Sequence, residues 1–303
     1  MGTRAKARDY ICSRTLVKIL DMQASIPCDL CGAANPRFVL NSRSLDGPLV
    51  ECVNCGFRYV GTRRSALTFG SEASEETAAK VRAANQNLRY LRLEEEHRLA
   101  LLNSRWRLDL IRQMKPSGKL LEIGCARGDF LQVARESFDV YGVEPNPELA
   151  ESSSKIAPVH QDVIERTPWN GFDIVASFHV IEHVDSPRSF IAAAAEKLKP
   201  GGLLVIETPN IDSLPFKILK SRWRQFIPEH YYFFTPKTIS RLLSDQGLRV
   251  QSHTTIGKYA SADLIVNRLS RYMPWLPNAN GLSKRTFRIN PRDIMLVFAT
   301  KGS

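Results

Sequence analysis

The chain has 303 residues, of which 43% are hydrophobic and 24% charged, with a formal net charge of +11. That suffices for one large core plus a small accessory module and is ordinary for a soluble globular protein. No stretch approaches the roughly 18 apolar residues that cross a bilayer, and the basic N-terminus lacks the continuous apolar run of a secretory signal, which points to the cytoplasm. The charge is uneven: residues 119–250 carry −2, whereas 1–118 carry +7 and 251–303 carry +6. Basic flanks fit nucleic acid, peripheral contact with an anionic membrane surface, or a phosphorylated substrate. The plainer alternative is a solvated surface, which the lack of base-stacking aromatics among those charges favours.

A basic extension occupies 1–25, and 26–60 reads as a small metal module. Cys28 and Cys31 (C-D-L-C-G) and Cys52 and Cys55 (C-V-N-C-G) form two CxxC turns with twenty residues between them. Each such turn presents two thiolates to one tetrahedral ion, so the spacing predicts a structural four-cysteine Zn2+ site. Gly32 and Gly56 follow the second cysteine of each pair, where a tight turn needs positive φ. Two short strands around Asp46-Gly47 complete the pattern of a zinc ribbon. Disulfides are the competing reading, which a cytoplasmic location disfavours.

Residues 61–117 hold a polar linker, GSEASEETAAK, and a packing helix in which Leu88, Leu91, Leu99, Leu102, Trp106 and Ile111 recur near helical spacing. From 118 to 303 strand and helix alternate. KLLEIG, DVYGVE, VHQDV, FDIVASF and GLLVIET read as strands, with helices between and after them. Asn146-Pro147, Ser186-Pro187 and Thr235-Pro236 each set a side-chain cap before a proline at the first helical position. The alternation predicts an α/β fold, an open, mostly parallel Rossmann-like sheet with helices on both faces and ligands beyond the carboxyl strand ends.

The first strand runs into L-L-E-I-G-C-A-R-G-D-F, where Gly124 and Gly128 permit a sharp bend and close approach of a ligand to the backbone. A pyrophosphate there would face Glu122 and Asp129, whereas a cationic sulfonium with an amino group suits both acids. Glu144 ends the second strand, 22 residues after Glu122, where an acid accepts hydrogen bonds from ribose hydroxyls. The block from LLEIGCARGDF through VYGVEPN, FDIVASFHVIEHV and LKPGGLLVIETPN to EHYYFFTPKTISRLLSDQGLRV resembles the S-adenosylmethionine-dependent class I methyltransferases, most of all the subgroup with an N-terminal zinc ribbon.

The resemblance implies a seven-stranded sheet whose last strand, within 292–301, is antiparallel, and an insertion at about 257–291. It implies S-adenosyl-L-methionine as cofactor. Glu122, Gly124, Cys125, Ala126 and Gly128 would line its methionine part, Glu144 would hold the ribose, Asp162 would reach the adenine, and Phe178 and His179 would close the pocket. Ala126 departs from the common glycine. In the insertion, Tyr272, Met273, Trp275 and Leu276 form an apolar stretch that packs on the domain or serves as a substrate lid or membrane-touching edge.

Methyl transfer needs in-line positioning, and a base only to unmask the nucleophile. His183 and His230 are the candidates, the alternative for each being a structural histidine bonded to backbone carbonyls. Glu182 joins them in the motif His179-x-x-Glu182-His183. Ubiquinone-pathway O-methyltransferases carry E-x-x-E-H there, a cluster associated with a divalent metal, and the last two positions match. The leading expectation is methylation of a small-molecule acceptor: a sugar, lipid-linked glycan, quinone-like phenol or polyketide. An RNA methyltransferase using the zinc ribbon and basic flanks, and a non-catalytic binding module, are the alternatives.

Overall fold

A computed structural model describes residues 26–62, 94–270, 272, 275 and 285–302. The extension expected over 1–25, the polar linker with Leu88 and Leu91, and Met273 and Leu276 lie outside the described residues. Three strands come first: β1 (Pro36–Leu40), β2 (Leu49–Cys52) and β3 (Arg58–Val60). Next come α1 (Glu94–Met114), β4 (Lys119–Ile123), α2 (Asp129–Ala134), β5 (Asp139–Val143), α3 (Pro147–Ser154), β6 (Val159–His160) and β7 (Phe172–Phe178). The series continues through α4 (Pro187–Lys197), β8 (Leu198–Pro209), α5 (Leu214–Leu219), β9 (Tyr232–Phe233), α6 (Pro236–Ser244) and β10 (Leu248–Thr255). It closes with β11 (Lys258–Ser261), α7 (Ala262–Leu269), β12 (Thr286–Ile289) and β13 (Ile294–Lys301).

Seven of these strands form one sheet in the order β10-β13-β8-β7-β4-β5-β6. β13 runs antiparallel to both neighbours, while β4 pairs in parallel with β5 and β7, and β7 with β8. This is the mixed Rossmann-like sheet expected from the sequence. Side chains alternate across it: Leu121, Val175 and Leu204 join one apolar core, and Leu120, Ile174 and Val205 the other. Covered on both faces, the middle of β7 (Ile174–Ala176) and of β8 (Leu203–Ile206) are continuous apolar runs. The three predicted caps form: the side chains of Asn146, Ser186 and Thr235 accept from the amides of Leu149, Ser189 and Thr238. No described helix is long and apolar enough to cross a membrane.

α1 buries Leu99, Leu108 and Ile111, the last two in the second core. The cysteine-bearing segment shares the first core through Leu30, Leu49, Phe57 and Tyr59. It is tied down at two further points. β3 pairs with β9, Arg58 opposite Phe233 and Tyr59 opposite Tyr232. Asp29 accepts from Ser186 Oγ and the Arg188 amide, both at 2.8 Å, at the start of α4. The aromatic run Tyr231–Phe234 is therefore buried core, and β9 within it a sheet edge. VHQDV yields only a two-residue strand.

Candidate active site

Three residues of the bend after β4 have positive φ: Gly124 (72°), Ala126 (46°) and Gly128 (85°). Gly124 is required twice over, since a Cβ there would also lie 2.5 Å from Val180 Cγ2. Ala126 holds a left-handed conformation that costs a residue with a Cβ about 1 kcal/mol. Glu144 compensates: its carboxylate accepts from the amides of Ala126 and Asn146, each at 2.9 Å, and so clamps the bend to the end of β5. Burial, opposed by those two amides, raises the Glu144 carboxyl above its ordinary range. Cys125 turns inward, its thiol against Ser153 Oγ at 3.6 Å and its Sγ filling space that a Cβ on Gly142 would enter.

Glu122 is buried, and its Oε2 has no hydrogen-bond partner among the described residues. Burial, with the negative fields of Asp129 and Glu144, pushes its carboxyl well above the ordinary range, and the charge of Arg107 and a backbone hydrogen bond from Leu131 oppose only part of this. A buried acid with one oxygen lacking a donor is costly, and such groups cluster at functional sites. Asp162 sits differently. Arg166 grips it at 2.9 Å through Nε, and that hydrogen bond, ahead of the Val163 amide, lowers its carboxyl.

The cluster at the end of β7 is more connected than its spacing suggested. His179 has φ 57° and lies between two fully buried glutamates, Nδ1 2.9 Å from Glu182 Oε1 and Nε2 2.8 Å from Glu207 Oε1. Arg107 of α1 grips Glu207 with Nε and Nη2, both at 2.7 Å, and covers the Phe178 ring at 4.7 Å. Burial opposes ionisation of Glu207, but Arg107 and the His179 hydrogen bond outweigh it and hold the carboxyl well below the usual range. Glu182 also accepts from Thr208 Oγ1 at 3.0 Å. Its burial is likewise outweighed, by the His179 hydrogen bond and the fields of all three histidines, bringing the carboxyl down to about 2.

His183 and His230 each donate Nδ1–H to a backbone carbonyl, of Glu229 at 2.9 Å and Gln225 at 2.7 Å, and their rings meet edge to face at 4.6 Å. Burial lowers both imidazoles, His230 to about 3, so both are neutral near pH 7. With Nδ1 donating, the ring lone pair lies on Nε2. One donor atom from each of Glu182, His183 and His230 lies within 4.8 Å of the others. That donor set, with histidines oriented by carbonyls, suits a divalent transition metal.

The four cysteines of the N-terminal segment converge as well, all four Sγ within 4.8 Å of one another. Cys28 and Cys55 are 3.5 Å apart and Cys31 and Cys52 3.4 Å, all as free thiols. Thiolates about 2.3 Å from one tetrahedral ion would be about 3.8 Å apart, so the cluster fits a thiophilic metal. The two turns are alike, with Gly32 and Gly56 both at φ 75° and each amide bonded to the carbonyl of the first cysteine.

Sequence reasoning missed Arg107, Glu207, Thr208 and Lys258, whose Nζ is 3.0 Å from His179 Nε2. Glu207 left a signal, a single acid closing the apolar run LLVI. Arg107 and Lys258 left none, since only the tertiary fold brings α1 and β11 to the end of β7.

Sheet order, glycine bend and acidic strand ends define a methyltransferase-type α/β fold. Residues 82–253 match the family described as "Methyltransferase domain", more than half the chain, and the chain belongs to that family. It is 27% identical over 184 residues to the mitochondrial ubiquinone biosynthesis O-methyltransferase of Homo sapiens, covering 54% of this chain and 47% of that protein. It is 31% identical over 147 residues to the ubiquinone biosynthesis O-methyltransferase of Cereibacter sphaeroides, covering 43% of this chain and 60% of that one. The chain thus spans only about half the length of the curated relatives it matches. A solved SAM-dependent methyltransferase from Archaeoglobus fulgidus aligns over 70% of this chain and 100% of its own, with 23% identity and a TM-score of 0.49.

Proposed function

We propose that the chain methylates a small molecule with S-adenosylmethionine as donor, the observation that carries this being the buried Glu122 carboxylate beside the backbone bend, whose Oε2 has no partner among the described residues. When bound, the sulfonium supplies an activated methyl group with a neutral leaving group. Glu122 takes the amino group of its methionine part, where Gly124 and Gly128 allow close approach. Glu144 is held by one backbone amide on each oxygen, so each keeps a lone pair for a ribose hydroxyl. Asp162 receives the adenine end while shared with Arg166. Phe178, fixed beneath Arg107, and His179 close the pocket.

His183 is the base in this reading. It is neutral and half-buried, and its Nδ1–H to Glu229 aims Nε2. His230 supports it from beneath. The expectation is that His183→Ala lowers kcat by about 10²- to 10⁴-fold and leaves S-adenosylhomocysteine affinity, measured by calorimetry, unchanged. Equal loss of both would make His183 structural. Absence of cofactor binding by the wild-type chain at millimolar concentration would sink the methyl-transfer reading and favour a non-catalytic module.

A second reading of the same cluster, favoured by the convergence of Glu182, His183 and His230, places a divalent cation on those three. Such an ion would supply Lewis acidity toward an acceptor hydroxyl. Metal analysis separates the two, since His183→Ala then loses one equivalent that the wild type holds beyond the cysteine site. We assign zinc to Cys28, Cys31, Cys52 and Cys55, in a ribbon over 26–60 that precedes the methyltransferase domain of 118–303. The names of the relatives support an oxygen of a quinone-like phenol as acceptor. Salt-sensitive binding of bulk tRNA would favour RNA in its place.

A further inference from the structure

The family match begins at residue 82, so the cysteine segment lies wholly outside it. Yet this segment grips the loop 179–185, which carries His179, Glu182 and His183. The loop leaves β7 through His179, whose left-handed φ of 57° is unfavourable for a residue with a Cβ, and whose amide donates to the Glu207 carbonyl at 2.9 Å. Further anchors come from the cysteine side. Asp29, inside the first CxxC turn, takes Ser186 Oγ on one carboxylate oxygen and the Arg188 amide on the other. The Arg188 guanidinium returns the grip, donating to the carbonyls of Asp29 and Leu30 at 3.2 and 2.5 Å. In mid-loop the Glu182 carbonyl accepts from the amides of Tyr231 and Tyr232 at 2.9 and 3.3 Å, and Tyr232 Oη donates to the Asp185 carbonyl at 2.6 Å. Those tyrosines are themselves held by the cysteine segment. The Val60 amide donates to the Tyr231 carbonyl at 2.8 Å, and the Phe57 ring stacks on Tyr232 at 5.8 Å, 3° from parallel.

We propose that the cysteine segment sets the aim of the histidine cluster, with Asp29 and Tyr232 as its positioning residues. His183 is oriented by the bond from Nδ1 to the Glu229 carbonyl, so the direction of Nε2 depends on where the loop stands relative to residues 229–230. Asp29 holds the loop, and β3 holds Tyr231, the residue that follows His230. One small module thus fixes both members of the His183–His230 pair. The requirement is strict, because a displacement of about 1 Å at a reacting group costs on the order of a hundredfold in rate. Loops are otherwise among the least protected parts of a fold, and a metal-stapled turn at Asp29 supplies order that this loop does not generate alone. A plain docking seam would instead stabilise the whole domain evenly. The proposal rests on the methyl-transfer reading for its catalytic meaning, but the positioning itself is tested without turnover.

The test is NMR and amide exchange on the full chain loaded with one equivalent of zinc. In the wild type, long-range proton–nitrogen spectra should show His183 and His230 as Nδ1–H tautomers. Asp29→Ala is expected to speed amide exchange across residues 180–185 about tenfold, with β4 and β7 unchanged, and to shift His183 toward the Nε2–H tautomer. Asp29→Asn, which keeps one acceptor oxygen, should fall between the two. Tyr232→Phe removes only the hydroxyl on the Asp185 carbonyl and should act in the same direction; it carries the test alone if Asp29→Ala loses its zinc. S-adenosylhomocysteine affinity, unchanged in every variant, verifies the fold. Wild-type tautomers and exchange in both Asp29→Ala and Tyr232→Phe overturn the proposal. Acceleration spread evenly through β4 and β7 overturns it too, since the segment would then stabilise the domain without aiming the cluster. Failure of the wild type to bind S-adenosylhomocysteine strikes the methyl-transfer reading alone.

Discussion

Glu122 concentrates the conflict between stability and function in one side chain. Its burial, with Oε2 lacking a donor among the described residues, favours the neutral acid and so opposes folding of the cofactor-free chain wherever the carboxylate must ionise. The same feature makes it a strong partner for a cation. Glu122→Gln keeps the shape and removes the charge, so the free protein is expected to gain about 1 kcal/mol, read as a higher Tm. Cofactor affinity should fall about ten- to a hundredfold in calorimetry, the worth of a charge-assisted hydrogen bond in a dry site. In the wild type, affinity should weaken as pH falls through the raised Glu122 pKa, and the variant should lose that dependence. A variant that is less stable yet binds the cofactor as well as the wild type would remove Glu122 from the site.

At the scale of elements, the cysteine segment depends on partners that it does not itself encode. β1, β2 and β3 span five, four and three residues, too few to fold on their own core, and a metal would act as their staple. Because β3 continues into β9, and Asp29 binds the start of α4, loosening the staple must propagate to those two places first. Chelation of metal-loaded protein is therefore expected to accelerate backbone amide exchange in Tyr231–Phe234 and at the start of α4. Exchange in β4 and β7, at the centre of the large sheet, should be unchanged. Uniform acceleration would mean that the metal supports the whole fold and not this docked segment. The two CxxC turns were legible because local spacing fixes them. The β3–β9 pairing was not, since nothing local in Tyr231–Phe234 names its distant partner.

For the molecule as a whole, what the sequence disclosed was the part governed by short-range rules: alternation, caps before proline and the glycine bend, with the antiparallel last strand implied by the family resemblance. What it hid was the meeting of α1, β7, β8 and β11 around His179, which lie as far apart in the chain as Arg107 and Lys258. That meeting point also governs how the fold responds to acid. His230 is held neutral, its imidazole lowered from 6.5 to about 3 by burial and the nearby His183. A group with a depressed folded pKa binds fewer protons folded than unfolded, so its contribution is complete above pH 6.5 and erodes as pH falls toward 3. Glu182, lowered to about 2 against the pull of its burial, adds a contribution that is complete above 4.5 and lost below it. Between pH 6.5 and 4.5 the histidines lose stability, at most about 3 kcal/mol for His230 by linkage, while the raised carboxyls of Glu122 and Glu144 gain it over the same fall in pH. Urea unfolding of metal-free wild type and His230→Asn across that interval should show the wild type losing more stability, or gaining less, as pH falls. The Asn amide can still donate to the Gln225 carbonyl, so the difference between the two slopes reports the titration of His230. An unchanged slope would mean that His230 is already solvated and protonated in the folded state.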